Sequence, residues 1–483
     1  MSSWAQAQEV SLRFADPLTD NMVVQQNKPF RIWGKAPAGQ NVKIEASWLK
    51  QAVTVTADAD GSFLGIMSVP AVKPGDFTKH TLQISAGSAS KTLRNVLIGE
   101  VWFCGGQSNM QSPVHEIVDG AAEVAKANHP YIRLFYAALN FSNTPLDNIA
   151  GQWVECTPQS AEKFSAVAFF FARQLHTTLN VPVGVIFSGI GASAAQAWAP
   201  RDVLAGDRVL DSAYLAPYLA SERSREVIDG GFSFEKVTRP FLLYNAMIHP
   251  FRHLSIRGFG WYQGESNRNE RGEYTHLMHT LINSWRTSFA QGELPFYYVQ
   301  VAPFFWDKED PTSADYAFFR ESQEKISSLN NTAMVLTMDV GEAKDLHPKN
   351  KKPVGIRLSL VALHRTYGQL SVDDRGPEIQ WVTFGKGMAT VSYVPETVRT
   401  GLRTKDGALP MYFSLAGEDR IFYPATAVIQ GNQVKITSPK VKSPVALRYA
   451  FTNYAVTNLE NGAGLPAVPF RTDTWPEKKD DKK

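Results

Sequence analysis

The chain has 483 residues, of which 44% are hydrophobic and 20% charged, and its formal net charge is +3. This length and apolar content predict two or three domains with sizeable cores. Lysine and arginine residues are dispersed without a basic stripe, which argues against a nucleic-acid partner. No apolar run approaches the roughly 20 residues that a membrane-spanning helix needs.

Residues 1–95 are predicted to form an N-terminal β-sandwich domain. Segments such as Val42–Ala46 and Thr81–Ile84 alternate apolar and polar residues, and a turn pattern occupies 59–62. Such alternation, interrupted by turn residues, is typical of half-buried strands in an antiparallel sheet.

Residues 96–370 alternate between strand patterns and helix patterns. The predicted strands are 96–103, 132–136, 183–188, 256–262, 296–301 and 333–338, and the predicted helices are Ala161–Leu179, Gly272–Phe289, Ala317–Leu329 and Pro353–Gly368. This alternation predicts an α/β domain with a three-layer α/β/α core, in which helices cover both faces of a mainly parallel sheet. Functional residues are then expected at the carboxyl ends of the strands.

Residues 371–475 are predicted to form a C-terminal β domain, and 476–483 a charged, solvated tail. Strand patterns recur at Met388–Tyr393, Tyr412–Leu415 and Gln433–Ile436, with turn residues at 406–407 and 430–432.

The beginning of the chain and its two cysteines bear on the cellular compartment. Ala5-Gln6-Ala7 matches the end of a cleaved secretion signal, so we expect a secreted or periplasmic protein whose native signal has been removed. Cys104 and Cys156 form either a disulfide or two buried thiols. Neither lies in a metal-ligand pattern, so we predict no metal site.

One motif, Gly105-Gly106-Gln107-Ser108-Asn109-Met110, directly follows the predicted strand 96–103. Two glycines permit a sharp turn, and a serine just past such a turn can be exposed at the sheet edge beside helix N–H groups. A helix is predicted to continue over Met110–Ala127. Taken alone, the pattern describes an ordinary helix N-cap serine equally well.

A second motif, Asp345-Leu346-His347-Pro348, lies far downstream. An aspartate two residues before a histidine can orient its Nδ1, which leaves Nε2 free to remove a proton from a serine. The alternative is a surface loop in which Asp345 caps the following helix.

Three blocks in this order resemble one known family: Gly106–Met110, Trp261–Asn267 and Asp345–Lys351. They are similar to blocks of the sialate O-acetylesterase-like branch of the SGNH hydrolases, which also holds acetylesterases acting on plant polysaccharides. The resemblance extends over nearly the whole chain through four further blocks: Asp20–Gln26, Ser188–Trp198, Leu243–Pro250 and Gly464–Asp473.

The resemblance implies a catalytic set, with Ser108 as nucleophile, His347 as general base and then acid, and Asp345 orienting the imidazole. The oxyanion hole would combine the N–H groups of Ser108 and Gly191 with the side-chain amide of Gln263. A buried structural amide is the alternative for Gln263. Relatives often have two glycines and a threonine where this chain has Gly191-Ala192-Ser193.

Four further residues are candidates for binding or supporting the substrate: Glu265, Asn109, Asn267 and Trp198. A structural role is the alternative for Glu265, and a place in the core is the alternative for Trp198. Arg201 is a candidate partner for the carboxylate of a sialic acid, and an ordinary exposed arginine is its alternative.

These assignments predict a serine esterase that needs no cofactor and removes O-acetyl groups from carbohydrates. The first expected substrate is 9-O-acetylated sialic acid and the second is acetylated xylan or another hemicellulose. A non-catalytic carbohydrate-binding protein is a competing class, although it need not retain a serine, histidine and aspartate set. A glycosidase with Glu265 and Asp345 as its two carboxylates would leave Ser108 unexplained.

Overall fold

The computed structural model describes residues 10–306 and 309–477. The segment Ala5-Gln6-Ala7 and residues 478–483 of the predicted tail lie outside the described residues. The chain divides into two units, one formed by Met1–Trp261 with Thr280–Phe296 and the other by Tyr262–His279 with Tyr297–Lys483. The three-domain division at 95/96 and 370/371 stays a prediction.

The first unit contains one large mixed sheet and a small sheet. Its strands are β1 (Arg13–Phe14), β2 (Val23–Gln25), β3 (Phe30–Lys35), β4 (Asn41–Ala46), β5 (Val53–Thr56), β6 (Ser62–Met67), β7 (His80–Ala86), β8 (Ala89–Gly106), β9 (His129–Tyr136), β10 (Trp153–Cys156), β11 (Val183–Gly189) and β12 (Gly258–Tyr262). In the large sheet the order is β10-β9-β11-β8-β12, and β2 and β7 also pair with β8. The small sheet has the order β1-β3-β6.

The large sheet is mixed, because strands outside the mainly parallel sheet predicted for 96–370 also join it. β11 runs parallel to β8 and β9, as strand-helix alternation requires. However, β10 is antiparallel to β9, and β7 is antiparallel to β8 and β4. A short connection joins β7 to β8 and favours their antiparallel pairing, whereas β2, also from the predicted N-terminal β region, pairs in parallel with β8.

β8 determines where the first motif lies. Its first seven residues are mostly exposed, and Val96–Gly106 are all buried. Glu100–Gly106 pair in parallel register with β11, which continues to Gly189 at the same edge. The strand therefore ends with two glycines at the carboxyl end of a buried parallel pair.

The helices of the first unit are short apart from one. They are α1 (Ser108–Gln111), α2 (Gly120–Ala125), α3 (Pro158–Glu162), α4 (Ala166–Leu179), α5 (Arg201–Gly206), α6 (Arg208–Leu210) and α7 (Ala216–Ala220). The helix predicted over Ala161–Leu179 is divided because the Ser165 hydroxyl accepts the N–H of Ala168 and so begins α4.

The continuous helix predicted over Met110–Ala127 is wrong. α1 ends at Gln111, a single 3-10 turn covers Val114–Glu116, and α2 begins only at Gly120. Pro113 has no backbone N–H to continue the helical hydrogen bonding, and its ring clashes with the preceding turn.

Helix α8 (Gly272–Phe289) has the predicted bounds, and its residues up to His279 belong to the second unit. The other helices of this unit are α9 (Asp315–Glu324) and α10 (Lys352–Arg365), and its first strands, β13 (Phe296–Val299) and β14 (Thr332–Val335), pair with each other. The remaining strands are β15 (Ile379–Gly385), β16 (Met388–Tyr393), β17 (Leu402–Thr404), β18 (Phe413–Ala416), β19 (Phe422–Pro424), β20 (Thr426–Gln430), β21 (Gln433–Thr437), β22 (Ala446–Tyr449), β23 (Leu459–Asn461) and β24 (Phe470–Arg471).

These C-terminal strands form three small sheets with the orders β15-β16-β21-β20, β17-β23 and β19-β18-β22-β24. Alternate residues of β16, β18 and β21 enter one apolar core, because a period of two places them on one face. The strand patterns that the sequence gives for this region are confirmed, and Gly407 and Gly431 take positive φ angles at the two predicted turns.

Cys104 and Cys156 are two separate buried thiols. Burial raises the pKa of both, to about 12 for Cys156, so they behave as small apolar residues. Within residues 10–306 and 309–477, no helix combines the length and apolar character that crossing a membrane requires.

Candidate active site

Ser108 is the first residue of α1, two positions beyond the end of β8. The N-cap position belongs to Gln107, which contradicts the N-cap alternative for Ser108. Gly106 has a φ of 141°, in the region that favours glycine. A Cβ on Gly105 would lie 2.9 Å from the carbonyl oxygen of Ser188. The two glycines therefore allow a turn that leaves Ser108 partly exposed between the buried residues Gln107 and Asn109.

Neighbouring elements hold the backbone around Ser108. The hydroxyl of Ser165 donates to the carbonyl oxygen of Met110 at 2.6 Å, which ties α1 to the beginning of α4. The N–H of Ser112 donates to the carbonyl oxygen of Ser108 at 2.9 Å. Asn109 is fully buried, so a supporting role fits it better than contact with substrate.

Gly191 lies beside Ser108 in the same unit. A Cβ built on Gly191 would be 3.5 Å from the Cβ of Ser108. The N–H of Gly191 donates to Oε1 of Gln111 at 2.8 Å, so an oxyanion would compete with Gln111 for this hydrogen. The neighbouring Ala192 takes a φ of 60°, which glycine adopts more easily. The oxyanion role of Gly191 stays a prediction.

The structure places Trp198 in the core, where its side chain cannot contact a sugar. Its side chain is fully buried, its ring packs edge-on against Trp261 at 5.8 Å, and its carbonyl oxygen accepts the indole N–H of Trp285. The core alternative is therefore the better one. Arg201 is exposed, with its guanidinium 5.7 Å from the ring centre of Phe241.

In the second unit, Asp345 and His347 contact each other on the loop before α10. Oδ1 of Asp345 accepts the backbone N–H of His347 at 2.8 Å and lies 3.7 Å from its Nδ1. Their side chains are 41% and 47% exposed, respectively. The carboxylate is close enough for an ion pair but too far for a hydrogen bond to Nδ1. Catalytic hydrogen bonds often tighten only when substrate is bound.

Lys351 is a buried cation that the sequence did not single out. Its side chain is nearly fully buried, and its ammonium lies 5.9 Å from the ring centre of Tyr262. Burial lowers the pKa of Lys351 to about 8 against the opposing charges of Glu265, Asp345 and Glu342. The run Pro348-Lys349-Asn350-Lys351 contains no signal that tells its two lysines apart.

The electrostatics of this loop favour a neutral imidazole. Partial burial, followed by the charge of Lys351, lowers the pKa of His347, and Asp345 raises it. Oε1 of Glu342 accepts the N–H of Lys349 at 2.9 Å and so braces the loop. A neutral His347 is the form that can accept a proton.

Gln263 lies in a buried polar network within this unit. Its Nε2 donates to Oδ1 of Asn267 at 2.7 Å, and its Oε1 accepts the hydroxyl of Tyr274 at 3.1 Å. Its carbonyl oxygen accepts Nε2 of Gln323 at 3.2 Å. Asn267 in turn donates to Glu270 at 2.9 Å. This geometry fits the alternative of a structural amide, and the oxyanion role of Gln263 stays a prediction.

Glu265 is buried beside the same network, at 3% exposure. Its charge raises the pKa of Lys351 and, after burial, that of Tyr262. A buried carboxylate is stable only with compensating charge or hydrogen bonds. Its burial and its charge interaction with Lys351 fit the structural alternative for Glu265.

The buried charge of Glu100, to which the motifs assign no role, also braces the strand that leads to Ser108. Glu100 in β8 accepts Gln26 Nε2 at 2.8 Å and Gln25 Nε2 at 3.1 Å. Arg257 donates to both of its oxygens at 2.7 and 3.0 Å. Two features of the sequence indicate this network. Glu100 is a charged residue inside an otherwise apolar run, and Asp20–Gln26 is one of the blocks that resemble the family.

Comparison with known proteins adds to this geometry. A family model for a sialic acid-specific carbohydrate esterase, an acetylesterase, matches residues 226–361. The sialate O-acetylesterase of Mus musculus is 28% identical over 418 residues, 76% of each chain. That of Homo sapiens is 26% identical over 513 residues, covering 95% of this chain and 92% of the human one.

A solved structure of a carbohydrate acetylesterase from Xanthomonas citri is 32% identical, with a TM-score of 0.83. The match covers 96% of this chain and 100% of that one. This chain belongs to the sialate O-acetylesterase-like branch of the SGNH hydrolases. The resemblance identified from the motif blocks is confirmed, and the protein is a carbohydrate esterase.

Proposed function

We propose that this esterase removes O-acetyl groups from sialic acids, and that 9-O-acetylated sialic acid is its first substrate. The support comes from the sialate O-acetylesterases of mouse and human, which align with most of the chain. The products are acetate and the free sugar.

The proposed mechanism is acyl transfer through Ser108. Its Oγ attacks the acetyl carbonyl while Nε2 of His347 takes the hydroxyl proton and then gives it to the leaving sugar oxygen. Water, activated by the same imidazole, hydrolyses the acetyl-enzyme. Asp345 holds the imidazole tautomer, and the N–H groups of Ser108 and Gly191 with the Gln263 amide stabilise the oxyanion.

The observation that carries this proposal is the position of Ser108. Ser108 is a partly exposed residue on a turn, its neighbours Gln107 and Asn109 are buried, and the helix N-cap is Gln107. A nucleophile needs this combination of a rigid backbone and an accessible oxygen.

We further propose that the catalytic region is an SGNH-type three-layer α/β/α core flanked by N-terminal and C-terminal β domains. Support comes from the strand-helix alternation of 96–370 and from the separate apolar core of the C-terminal strands. A secreted or periplasmic location is part of the same proposal and rests on Ala5-Gln6-Ala7.

Acetylated xylan or another hemicellulose is the second candidate substrate. The observation in its favour is that the Xanthomonas citri structure is of a carbohydrate acetylesterase with no particular sugar in its name. That protein is also more similar to this chain than the mouse and human enzymes are.

The deciding experiment measures acetate release from 9-O-acetylated sialic acid, acetylated xylan and a long-chain ester side by side, with Ser108→Ala as control. The proposal expects the highest kcat/KM with the sialic acid. Preference for xylan would move the enzyme to the plant-polysaccharide group, and preference for the long-chain ester would refute a carbohydrate substrate. Absence of release from all three would favour a non-catalytic binding protein.

A further inference from the structure

An arginine in the second unit is held on an aromatic ring. The guanidinium carbon of Arg268 lies 3.9 Å from the ring centre of Trp306, and both side chains are partly exposed. Across residues 10–306 and 309–477, no carboxylate forms an ion pair with Arg268, whereas the nearby Arg271 binds Glu477 at 2.7 Å. Within the part of the chain that the structure describes, the guanidinium of Arg268 thus keeps the capacity to bind an external anion.

The ring under Arg268 is itself fixed. Trp306 packs edge-on against Phe304 at 5.2 Å and Tyr316 at 5.4 Å, and Tyr316 is almost fully buried. A guanidinium on an aromatic face keeps its N–H groups directed outward in the plane of the group. Part of the side-chain entropy that anion binding would otherwise remove is thus already lost.

The backbone turn that precedes Arg268 connects it to the Gln263 network. Arg268 directly follows the 3-10 turn Glu265–Asn267, and its N–H donates to the carbonyl oxygen of Glu265. Asn267 in this turn accepts the amide of Gln263. The position of Arg268 is consequently fixed relative to the Gln263 network.

The segment that carries Trp306 contacts the loop that leads to His347. The N–H of Phe305 donates to the carbonyl oxygen of Ala343 at 3.4 Å, and a Cβ on Gly341 would lie 2.5 Å from the carbonyl oxygen of Pro303. The segment that carries Trp306 therefore packs directly on the segment that leads to His347. Arg268 and the proposed general base therefore belong to adjoining loops of one unit.

We propose that Arg268, held on Trp306, binds the carboxylate of the acetylated sialic acid. This rests on the proposed function, because sialic acids carry a carboxylate and acetylated xylose residues do not. The forked guanidinium can donate two parallel hydrogen bonds to a carboxylate. Arg268 thereby takes the role considered for Arg201, whose guanidinium lies farther from its ring and whose side chain is exposed.

The test pairs enzyme variants with a change in the ligand. kcat/KM is measured for 9-O-acetylated N-acetylneuraminic acid and for its methyl ester, which lacks the negative charge but keeps the acetyl group. Arg268→Gln should lower kcat/KM for the acid about 10- to 100-fold more than for the methyl ester, mainly through KM. Arg268→Lys should cause a selective loss between those of the wild type and Arg268→Gln, because lysine keeps the positive charge but lacks the forked guanidinium.

Two control variants are measured beside Arg268→Gln. Arg420→Gln removes another arginine that lies over a tryptophan in the same unit, 5.5 Å from the ring of Trp475. Arg201→Gln removes the arginine that the sequence suggested. Neither should change the ratio between acid and methyl ester. An equal loss on both substrates for Arg268→Gln, no loss, or a selective loss for Arg201→Gln would overturn the proposal.

A binding measurement tests the role of Arg268 separately from the proposed reaction. Affinity for unacetylated N-acetylneuraminic acid is measured by calorimetry in Ser108→Ala with and without Arg268→Gln. Weaker binding in the double variant supports the carboxylate site even if the wild type releases acetate only from xylan, a result that would defeat the proposed substrate alone. Equal binding in both variants overturns the assignment of Arg268, whatever the wild type hydrolyses.

Discussion

The two regions to which we assign the reaction differ in how the chain holds them. Ser108 follows an 18-residue strand whose last eleven residues are buried, and its strand is braced by the Glu100 network. Asp345 and His347 lie on a loop, roughly half exposed, with 3.7 Å between the carboxylate and Nδ1. The position of the proposed nucleophile is fixed by the buried strand before it. The protonation state of the proposed base depends on the charges around its loop.

This difference predicts different consequences of mutation. Changes beneath the serine strand alter the free energy of unfolding, because that strand pairs with several others and carries a buried ion pair. Changes at Asp345 and His347 alter the rate and its pH dependence with little effect on stability, because these half-exposed side chains make few buried contacts. The following predictions test or refine this contrast, beginning with the largest expected effect.

Ser108→Ala should reduce hydrolysis of 4-nitrophenyl acetate by about 10⁶-fold in kcat, as removal of a nucleophile does in other serine hydrolases. The melting temperature should stay almost unchanged, because the variant loses a single oxygen atom at a partly exposed residue. Turnover and thermal unfolding of the same preparations check this. Near-normal turnover in the variant would exclude Ser108 as nucleophile.

Asp345→Asn should lower kcat by about 10²–10⁴-fold, since the neutral amide cannot stabilise the imidazolium that forms on His347. Its Oδ1 can still accept the backbone N–H of His347, so the loop should keep its structure. Asp345→Ala removes both functions and serves as the comparison. If the Asn variant were as active as wild type, the carboxylate would only brace the loop.

Glu100→Gln should lower the free energy of unfolding by about 2–4 kcal/mol, because Arg257 loses its charged partner in a buried network. The matched change Asp345→Ala should lower it by less than about 0.5 kcal/mol, as exposed positions usually do. Urea unfolding of both variants provides the measurement. Equal effects would remove the contrast between the two regions.

Lys351→Met should move the acidic limb of the kcat/KM profile to higher pH. The positive charge of Lys351 lowers the pKa of His347, so its loss raises that pKa, and more alkaline conditions are then needed for a neutral imidazole. Lys351→Arg keeps the charge and should leave the limb near its wild-type position. A limb that moves toward lower pH in the Met variant would contradict the assigned electrostatics.

Ala192→Gly should raise the free energy of unfolding by at most about 1 kcal/mol, because it relieves a left-handed conformation while giving the unfolded chain more freedom. Ala194 has a φ of −94°, so Ala194→Gly relieves no left-handed conformation. This variant should lower the free energy of unfolding. Urea unfolding compares the two. Destabilisation of similar size in both would show that the φ of Ala192 carries no strain.

Local patterns predicted much of the fold. Helix α8 has the predicted bounds because Gly272–Phe289 contains an uninterrupted helical pattern. The failure at Met110–Ala127 came from giving periodicity more weight than Pro113. The extension of β8 back to Ala89 depends on pairing with β7, which a strand pattern alone does not specify.

The candidate site was predictable where a motif is contiguous, as at Ser108 and at Asp345 with His347. Features assembled from distant segments were not. The partners of Glu100 come from residues 25–26 and 257, and Arg268 meets Trp306 across a long stretch of chain. Burial of Lys351 depends on tertiary packing that its own neighbours in sequence do not reveal.

The most direct test of the central claim is to find the residue that a serine-directed fluorophosphonate modifies. Peptide mass spectrometry of the labelled wild type should place one covalent adduct on Ser108, with loss of acetate release in proportion to labelling. The His347→Ala variant should label far more slowly, because the hydroxyl is no longer activated. An adduct on another residue, or full acetate release after complete labelling of Ser108, would contradict the account.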